Sequence, residues 1–302
     1  MKILITGATG FVGTALRREL RAQGHQVRAL VRAQSAGKID PREGIEVLAG
    51  DVMDTHACLR AVDGCDTLVH LVGIRREYPH DGITYEAMHT EATYGIIDAA
   101  RRAKVERVVF MSGLGARAGA PSGYHRTKFE AEEIVRKSGM RWTIFRPSII
   151  FGPGDEFHPL VADLVHRPIV PVIDGAKSLL QPVSIGNVAS AMSRTVTMPE
   201  TQGQVFEVGG PERHAFIDIM YKVARHYGVW PNTMSVSSRF AKPMVRFAQR
   251  FRSFPLTYDE LVMLLEDNIC ETEHFTTTFG VTLDPYEAQI PSLCPHIYEL
   301  AA

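Results

Sequence analysis

Short apolar runs alternate with amphipathic segments along the first half of the chain. The runs lie at residues 3–5, 27–31, 46–48, 67–72, 107–111 and 142–145, and residues 204–208 repeat the pattern later. Segments with helical spacing of apolar positions separate them. Repeated strand and helix units favour a parallel sheet with helices on both faces. The pattern therefore predicts an α/β fold, a doubly wound parallel sheet that binds ligands at the carboxyl ends of its strands.

Three glycines spaced three apart, Gly7, Gly10 and Gly13, follow the first apolar run. Gly7 can adopt the backbone angles of a tight turn, Gly10 lets the main chain approach a ligand, and Gly13 lets the next helix pack close. The N-terminus of that helix offers unpaired N–H groups. The helix places apolar residues on one face, at Val12, Ala15, Leu16 and Leu20. We predict a loop that binds the pyrophosphate of a dinucleotide, with an ordinary turn as the alternative. The predicted contacts are Thr6, Gly7, Thr9, Gly10, Phe11, Val12 and Gly13.

The end of the second strand bears on which dinucleotide binds. A carboxylate there would hold the adenosine ribose 2′-hydroxyl and repel a 2′-phosphate. Val31 occupies that position, and Arg32 beside it can pair bidentately with a 2′-phosphate. We therefore predict a preference for NADP(H), with NAD(H) as the second choice. The alternative is that Arg32 is a solvated surface residue.

Composition narrows the class of protein. The 302 residues include 33 basic and 34 acidic side chains, a balance that gives no global preference for nucleic acid. The four cysteines, at positions 58, 65, 270 and 294, have neither Cys-x-x-Cys nor metal-ligand spacing, so we expect structural thiols and no metal site. No apolar run is long enough to span a bilayer, and the N-terminus does not resemble a secretory signal. We expect a cytoplasmic protein, with peripheral attachment at the inner membrane as the alternative.

Candidate catalytic residues follow the fifth strand. Ser112 ends that strand, and Tyr124 and Lys128 lie four residues apart in the next helical segment, on one face. A phenol with a pKa of roughly 10 is a poor acid or base near neutrality, and an adjacent ammonium lowers that pKa. The same ammonium can hold the ribose hydroxyls of a nicotinamide cofactor. We predict Tyr124, Lys128 and Ser112 as catalytic residues, with a plain surface pair of Tyr124 and Lys128 as the alternative.

Several motifs together resemble a known superfamily. They are Thr6-Gly7-x-x-Gly10-x-x-Gly13, residues 111–116, Tyr124-x-x-x-Lys128 and residues 143–155. On these, the chain resembles an extended or atypical short-chain dehydrogenase/reductase. It is similar to the nucleoside-diphosphate-sugar epimerase-like group that includes the nicotinamide-binding accessory subunit of respiratory complex I. Residues 181–189 and 206–212 match later signatures of extended members, and residues 256–261 with 266–268 resemble the C-terminal part of the complex I-related group.

The resemblance implies further cofactor contacts. Asp51, next to Val52, would face the adenine amino group, although a helix N-cap is an equal alternative. Leu71, Val72 and Gly73 would run past the pyrophosphate and ribose, and Pro147 would lie beside the nicotinamide or merely end a strand. We interpret His70 as a satisfied core histidine. His89 stands where many relatives carry an asparagine, and we interpret it as a helix-face residue.

One departure from the superfamily pattern weakens the catalytic interpretation. Catalytic members usually supply a hydroxyl at the position of Gly113, so Ser112 either polarises a substrate or forms a local hydrogen bond. Two functions stay open. The first is an NADP(H)-dependent oxidoreductase or epimerase acting on a carbonyl or secondary alcohol. The second is a non-catalytic dinucleotide-binding protein that senses redox state or stabilises a complex.

The second half of the chain is expected to cover the substrate. We predict a dinucleotide-binding Rossmann domain over residues 1–154, joined by residues 178–210, and a smaller substrate-covering part over residues 155–177 and 211–302. Residues 239–252 carry five cations and no acid, with an aromatic stripe about a quarter-turn from a basic one. Pro243 in a first turn predicts a helix that starts near Lys242. The stripe either covers the substrate cleft as a lid or docks on a membrane or protein complex, which would suit an apolar small-molecule substrate.

Overall fold

The computed structural model describes residues 1–251, 254 and 256–294. Its strands, in chain order, are β1 (Lys2–Thr6), β2 (Gln26–Val31), β3 (Glu46–Ala49), β4 (Thr67–His70), β5 (Arg107–Met111), β6 (Arg141–Pro147), β7 (Ile150–Phe151), β8 (Val170–Ile173), β9 (Leu179–Leu180), β10 (Val183–Ser184), β11 (Gln204–Val208), β12 (His214–Ala215) and β13 (Thr233–Val236). Every strand predicted from the apolar runs is present, and those at residues 107–111 and 204–208 have the predicted bounds.

The helices separate the strands. In chain order they are α1 (Phe11–Ala22), α2 (Thr55–Val62), α3 (Ala92–Arg102), α4 (Gly123–Arg136), α5 (Phe157–Val165), α6 (Ile185–Thr195), α7 (Phe216–His226), α8 (Ser238–Ala248), α9 (Tyr258–Leu264), α10 (Glu273–Phe279) and α11 (Ile290–Leu293). A π-helical turn, Glu86–Glu91, leads into α3. Within the described residues, no helix is long and apolar enough to cross a membrane.

The largest sheet among the described residues has seven strands, in the order β11-β6-β5-β4-β1-β2-β3. The strands from β6 to β3 in that order pair in parallel, and Ile5 of β1 stands opposite Ala29 of β2 and Val69 of β4. The predicted doubly wound parallel sheet is therefore confirmed. The chain reverses its direction of winding between β1 and β4, and a ligand crevice forms at the carboxyl ends of strands at such a point.

The inner strands are apolar because helices cover both faces of the sheet. Residues 3–5 of β1 and 108–110 of β5 are fully buried. On one face, Leu4, Val108 and Phe110 form one hydrophobic cluster with residues of α2, α3 and α4. On the other, α1 packs against α6, where Gln23 Nε2 donates to Ser193 Oγ at 2.7 Å.

The chain divides into two compact units. The first consists of residues 1–147, 185–207 and 273–281, and the second of residues 148–184, 208–272 and 282–302, of which 252, 253, 255 and 295–302 lie outside the described residues. These bounds differ from the predicted ones chiefly at residues 273–281, which we assigned to the smaller part. Helix α10 belongs to the first unit because its Phe279 packs on Phe145 and Phe206, at ring distances of 5.7 and 4.9 Å.

The second unit has its own core. Short strands pair as β7 with β10, β9 with β12 and β8 with β13. Apolar residues of α5, α7 and α11 form one cluster with them. Inside it, Asp155 Oδ2 lies 2.8 Å from His158 Nδ1, and His158 Nε2 lies 2.8 Å from the hydroxyl of the fully buried Tyr286.

The basic segment starts earlier than we predicted. Helix α8 begins at Ser238, because Ser237 caps it by accepting from the Arg239 N–H at 3.3 Å. Pro243 consequently lies inside the helix, where it lacks the N–H that would bond to the carbonyl of Arg239. Arg252, the last cation of the predicted stretch, lies outside the described residues.

Candidate functional site

The glycine loop between β1 and α1 has the shape that its spacing predicts. Gly7 has φ +76°, in the left-handed region that favours glycine, and its carbonyl accepts a hydrogen bond from the Gly10 N–H at 3.1 Å. A Cβ on Gly13 would lie 2.3 Å from the Gly7 oxygen and 2.7 Å from the Ala8 Cα, so α1 contacts the loop backbone directly. Gly10 is exposed and caps α1 without a side chain.

Helix α1 presents an anion-binding end. Its first N–H groups, on Phe11, Val12 and Gly13, have no intrahelical acceptor, and no acidic residue occupies the first turn. Arg17 stabilises the loop from the protein interior, since it is only 2% exposed. Its guanidinium donates to the Ala8 carbonyl at 2.6 Å and to both oxygens of Glu43. This hydrogen bond with Arg17 lowers the pKa of Glu43. Sequence reasoning missed the pair, since an arginine among apolar positions was its only signal.

The end of β4 adjoins the loop. The Leu71 N–H donates to the Thr6 carbonyl at 3.1 Å, and a Cβ on Gly7 would lie 3.1 Å from the Leu71 carbonyl carbon. A Cβ on Gly73 would lie 2.7 Å from Lys128 Nζ. Thus Thr6, Gly7, Leu71, Val72, Gly73 and Lys128 come together at one edge of the sheet.

The ends of β2 and β3 lie side by side, since the Gly50 N–H donates to the Val31 carbonyl at 2.9 Å. Val31 is buried and Arg32 is exposed just beyond it. Asp51 is exposed and accepts from the Met53 N–H at 3.0 Å. The alternative that Asp51 caps α2 is wrong, because Asp54 accepts from the His56 N–H at 2.9 Å and α2 begins at Thr55.

Lys128 and Tyr124 stand on the inner face of α4. Glu132, fully buried, fixes this helix by pairing with Arg146 of β6 at 2.7 and 2.8 Å. Lys128 Nζ donates to the carbonyls of Met111 at 3.1 Å and Val72 at 3.4 Å, so it bridges the ends of β5 and β4. Burial lowers the pKa of Lys128 to about 8, against a smaller opposing effect of Glu132. The ammonium therefore predominates at neutral pH.

The environment of Tyr124 differs from the expected one. We predicted that Lys128 would lower the pKa of the phenol, but burial raises the pKa of Tyr124 to about 12. The ring lies edge-on to His89, at 5.3 Å between centroids, and to Tyr85, at 5.9 Å. Tyr124 is thus a neutral phenol over the physiological pH range.

The loop after β5 faces Tyr124 through Gly113. A Cβ on Gly113 would lie 3.0 Å from the Tyr124 hydroxyl oxygen. Ser112 is 3% exposed, and among the described residues its hydroxyl has no hydrogen-bond partner. The predicted alternative of a local hydrogen bond from Ser112 is therefore wrong. The same loop is held to β6 because the Leu114 N–H donates to the Pro147 carbonyl at 2.9 Å.

Two histidines connect the glycine loop to α4. His70 Nδ1 lies 2.6 Å from Thr6 Oγ1, and its Nε2 lies 3.1 Å from Thr93 Oγ1. Thr93 donates to the carbonyl of His89, whose Nδ1 lies 2.8 Å from Thr127 Oγ1. Both imidazoles are fully buried, and burial lowers the pKa of His70 to about 3 and that of His89 to about 2.

His70 is therefore a satisfied core histidine, as predicted, whereas the helix-face interpretation of His89 is wrong. His89 lies in the π-helical turn before α3, where its Nε2 accepts from the Ile74 N–H at 3.1 Å. A Cβ on Gly73 would also lie 3.4 Å from that nitrogen. His89 thus contacts the residues around both Tyr124 and Lys128. The sequence signal was that His89 stands where many relatives carry an asparagine.

The residues present fit a dinucleotide. The left-handed Gly7, the exposed Gly10 and the acid-free N-terminus of α1 form a cradle in which main-chain N–H groups can meet a pyrophosphate. Lys128 stands beyond it, at the carboxyl ends of β4 and β5. Among the described residues, no cluster of histidine, cysteine or carboxylate side chains could hold a metal ion.

Comparisons with known proteins agree with this geometry. The sequence model of a family described as NAD(P)H-binding matches residues 7–156. The mitochondrial NADH dehydrogenase (ubiquinone) 1 alpha subcomplex subunit 9 of Arabidopsis thaliana is 27% identical over 97% of this chain and 74% of that protein. A ceramide reductase of Caulobacter vibrioides is 31% identical over 57% of this chain, and the match spans about half, 53%, of that reductase.

A solved structure gives the same fold. The NADPH-dependent quinone oxidoreductase of Escherichia coli, crystallised with NADPH, superposes with a TM-score of 0.77 at 18% identity and covers 96% of this chain and 99% of that one. The predicted resemblance is therefore confirmed. Residues 7–156 therefore match a family described as NAD(P)H-binding, and the chain as a whole is similar to an NADH dehydrogenase subunit and, in fold, to an NADPH-dependent oxidoreductase.

Proposed function

We propose that this protein is an NADP(H)-dependent oxidoreductase that acts on a carbonyl or secondary alcohol. One observation carries the proposal: the Tyr124 hydroxyl stands at the space left by Gly113, on the same helix face as Lys128, whose ammonium reaches Val72 beside the glycine loop. A proton donor, a cation and a phosphate cradle thus share one edge of the sheet. This arrangement suits a proton transfer coupled to hydride transfer.

Each group of the site would have a separate role in binding the cofactor or transferring the proton. Lys128 would hold the nicotinamide ribose hydroxyls, and the main-chain N–H groups of α1 would hold the pyrophosphate. When bound, NADPH supplies a hydride to the carbonyl carbon. Tyr124 then donates its proton to the carbonyl oxygen, which gives an alcohol and a tyrosinate that water reprotonates. The raised pKa keeps Tyr124 protonated, so it would enter a reduction as the proton donor, although a phenol of higher pKa is a weaker acid. An epimerase would use the same pair in both directions.

The relatives support an apolar small-molecule substrate. A ceramide reductase and a quinone oxidoreductase are among them, and both names denote apolar substrates. The balanced charge of the chain supports the absence of a nucleic-acid partner. The four cysteines are free and buried, which supports a reducing compartment, and we assign the protein to the cytoplasm.

NADP(H) is the proposed cofactor because Arg32 is exposed at the end of β2 and Val31 leaves no carboxylate there. Calorimetric titration with NADPH and NADH tests this choice. NADPH should bind about tenfold or more tightly, and Arg32→Glu should remove the difference, since it replaces a cation by an anion at the 2′-phosphate. Arg18→Glu, an exposed charge reversal on α1, is the matched control. Equal affinities in the wild type would contradict the preference.

A second candidate is a dinucleotide-binding protein without turnover. Gly113 stands where the usual hydroxyl would be, and Ser112 is only 3% exposed, which favours a site without a side-chain hydroxyl that polarises a substrate. The relationship to a complex I subunit also favours this candidate. Such a protein would sense redox state or stabilise a complex.

Turnover separates the two candidates. NADPH oxidation is followed with a panel of aldehydes, ketones and quinones, for the wild type, Tyr124→Phe and the control Tyr94→Phe, which changes an exposed tyrosine on α3. An oxidoreductase should lose about 10²- to 10⁴-fold in turnover in Tyr124→Phe at nearly unchanged NADPH affinity, and Tyr94→Phe should behave as the wild type. NADPH binding without any turnover would support the second candidate. Absence of dinucleotide binding would exclude both.

A further inference from the structure

Helix α8 and the turn that follows it, through Phe251, have three distinct faces. At 3.6 residues per turn, the three faces are centred about a third of a turn apart. The first face is buried: Ala241 and Val245, each 1% exposed, pack with Leu261 of α9. The second, which we call the aromatic stripe, consists of Phe240, Met244, Phe247 and Phe251. The third, the basic stripe, consists of Arg239, Lys242, Arg246 and Arg250.

The aromatic stripe is exposed along its whole length. Its residues are 72%, 56%, 61% and 60% exposed in chain order, although each is large and apolar. The rings of Phe247 and Phe251 meet edge to face at 6.1 Å, so the stripe is continuous at its end. Single exposed apolar residues are common on protein surfaces, but four on one helix face mark an interaction site. If α8 were a lid over a substrate cleft, the aromatic stripe would be covered by that cleft. Its four side chains are exposed instead.

The charge beside the stripe has one sign. Residues 239–251 contain four cations and no acid, in a chain whose net charge is −1. Among the described residues, none of the four cations forms an ion pair. Arg250 instead lies 5.6 Å from the ring centre of Phe247, and Arg246 lies 5.7 Å from that of Tyr258. These guanidinium groups therefore remain available to an anionic surface next to the aromatic stripe.

The chemistry of the stripe favours lipid over a protein partner. Phenylalanine and methionine side chains carry no group that must find a hydrogen-bond partner, so they can enter hydrocarbon. Protein interfaces also bury phenylalanine and methionine, but they contain about one hydrogen bond per 100–200 Å², and the side chains of the aromatic stripe offer no hydrogen-bonding N–H or oxygen for such bonds. Cations that flank an apolar stripe can remain at the level of the headgroup phosphates while the stripe inserts below them.

We propose that α8 binds the surface of a bilayer that contains anionic phospholipid. The aromatic stripe inserts among the upper acyl chains, and the basic stripe pairs with headgroup phosphates. Ala241 and Val245 keep the helix attached to its own unit, so insertion needs no unfolding of α8. The attachment is peripheral. It goes beyond the proposed oxidoreductase function and does not depend on it.

Vesicle co-sedimentation of the full chain tests the proposal without any dinucleotide. We expect the wild type to sediment with phosphatidylcholine vesicles that contain phosphatidylglycerol, and not with pure phosphatidylcholine vesicles. High salt should weaken the binding, because it screens charges at the bilayer surface. Arg246→Glu with Arg250→Glu should weaken it roughly thirtyfold or more, since each surface cation contributes about fivefold.

Two further variants complete the test. Phe240→Ser with Phe247→Ser should lower the affinity while leaving the fold intact by circular dichroism, because both rings are exposed. Arg18→Glu with Arg60→Glu makes the same charge change on exposed arginines of α1 and α2 and should bind as the wild type. The proposal is overturned if the wild type fails to bind anionic vesicles at low salt. The aromatic and basic stripes of α8 would then be assigned to binding an acidic protein surface. The proposal is also overturned if the phenylalanine variant binds as tightly as the wild type.

Discussion

The glycine loop and the corner around Tyr124 lie at the same sheet edge but are built in opposite ways. In the loop, backbone packs on backbone: a Cβ on Gly13 would lie 2.3 Å from the Gly7 oxygen. At the Tyr124 corner, a Cβ on Gly113 would meet only the end of a side chain, at 3.0 Å. Backbone atoms that a new Cβ would touch cannot shift without moving the helix or the loop, whereas the end of a side chain can move away. The loop is therefore fixed by local sequence, and the corner depends on its neighbours.

Breaking the loop should have the largest effect of any of these substitutions on stability at neutral pH. We expect Gly13→Ala to lower the free energy of unfolding by about 3 kcal/mol, because the new methyl group displaces α1 from the loop backbone. The measurement is urea denaturation followed by circular dichroism. Gly10→Ala is the control, since its Cβ would lie 3.3 Å from the Gly7 oxygen, and it should cost about 1 kcal/mol or less. Equal stabilities of the two variants would contradict the role of close helix packing.

Acid should break the histidine network beneath the Tyr124 corner. In the folded protein the pKa of His70 is about 3 and that of His89 about 2, whereas an unfolded histidine has a pKa of about 6.5. Below that value the unfolded chain binds protons that the folded chain does not, so stability falls as pH falls. Each histidine should contribute about 1.4 kcal/mol per pH unit between about pH 6 and 4.

The slope of unfolding free energy against pH measures this contribution. We expect His70→Gln to reduce the slope by about 1.4 kcal/mol per pH unit, because glutamine hydrogen-bonds without titrating. His80→Gln, which changes an exposed histidine, is the control and should keep the wild-type slope. If His70→Gln and the wild type have the same slope, the buried network does not exclude protons.

Filling the Tyr124 corner should have the smallest effect on stability. Gly113→Ala should change the free energy of unfolding by about 1 kcal/mol or less, because only the end of the Tyr124 side chain must move. Under the proposed function, however, turnover should fall by about 3- to 10-fold, since displacing a proton donor by less than 1 Å impairs transfer. Gly95→Ala on α3, whose Cβ would lie 3.8 Å from its nearest neighbour, is the control for both measurements. A Gly113→Ala variant with full turnover would show that the position of Tyr124 is not critical.

The contrast between loop and corner also explains what the sequence could predict. The strands were predictable because a strand covered on both faces must be apolar throughout, as residues 108–110 are. The spacing of Tyr124 and Lys128 predicted a shared helix face. The direction of the Tyr124 pKa shift was not predictable, because burial by residues distant in sequence raises it, and spacing along a helix does not reveal burial.

Long-range packing accounts for the other errors. Helix α10 joins the first unit through contacts of Phe279 with Phe145 and Phe206, which are more than 70 residues away in the chain. We interpreted His89 as a plain helix-face residue, whereas the fold places Ile74 and Thr127 around it. Asp54, and not Asp51, caps α2 because the helix begins at Thr55, four residues after the aspartate that the motif singled out. In each case the local sequence pattern predicted the type of secondary structure but not the distant residues that pack around it.

The Arg17–Glu43 pair has a consequence for protein engineering. Nucleotide preference is most directly transplanted by exchanging the connection between β2 and β3, residues 32–45, with that of a relative. Glu43 lies in this connection and holds the guanidinium that supports the Ala8 carbonyl in the glycine loop. A graft that omits an acid at this position would leave Arg17 buried without its carboxylate and loosen the phosphate loop at the same time. Ribose specificity and phosphate affinity are therefore not separable modules in this chain, and a successful graft must carry its own counterion for Arg17.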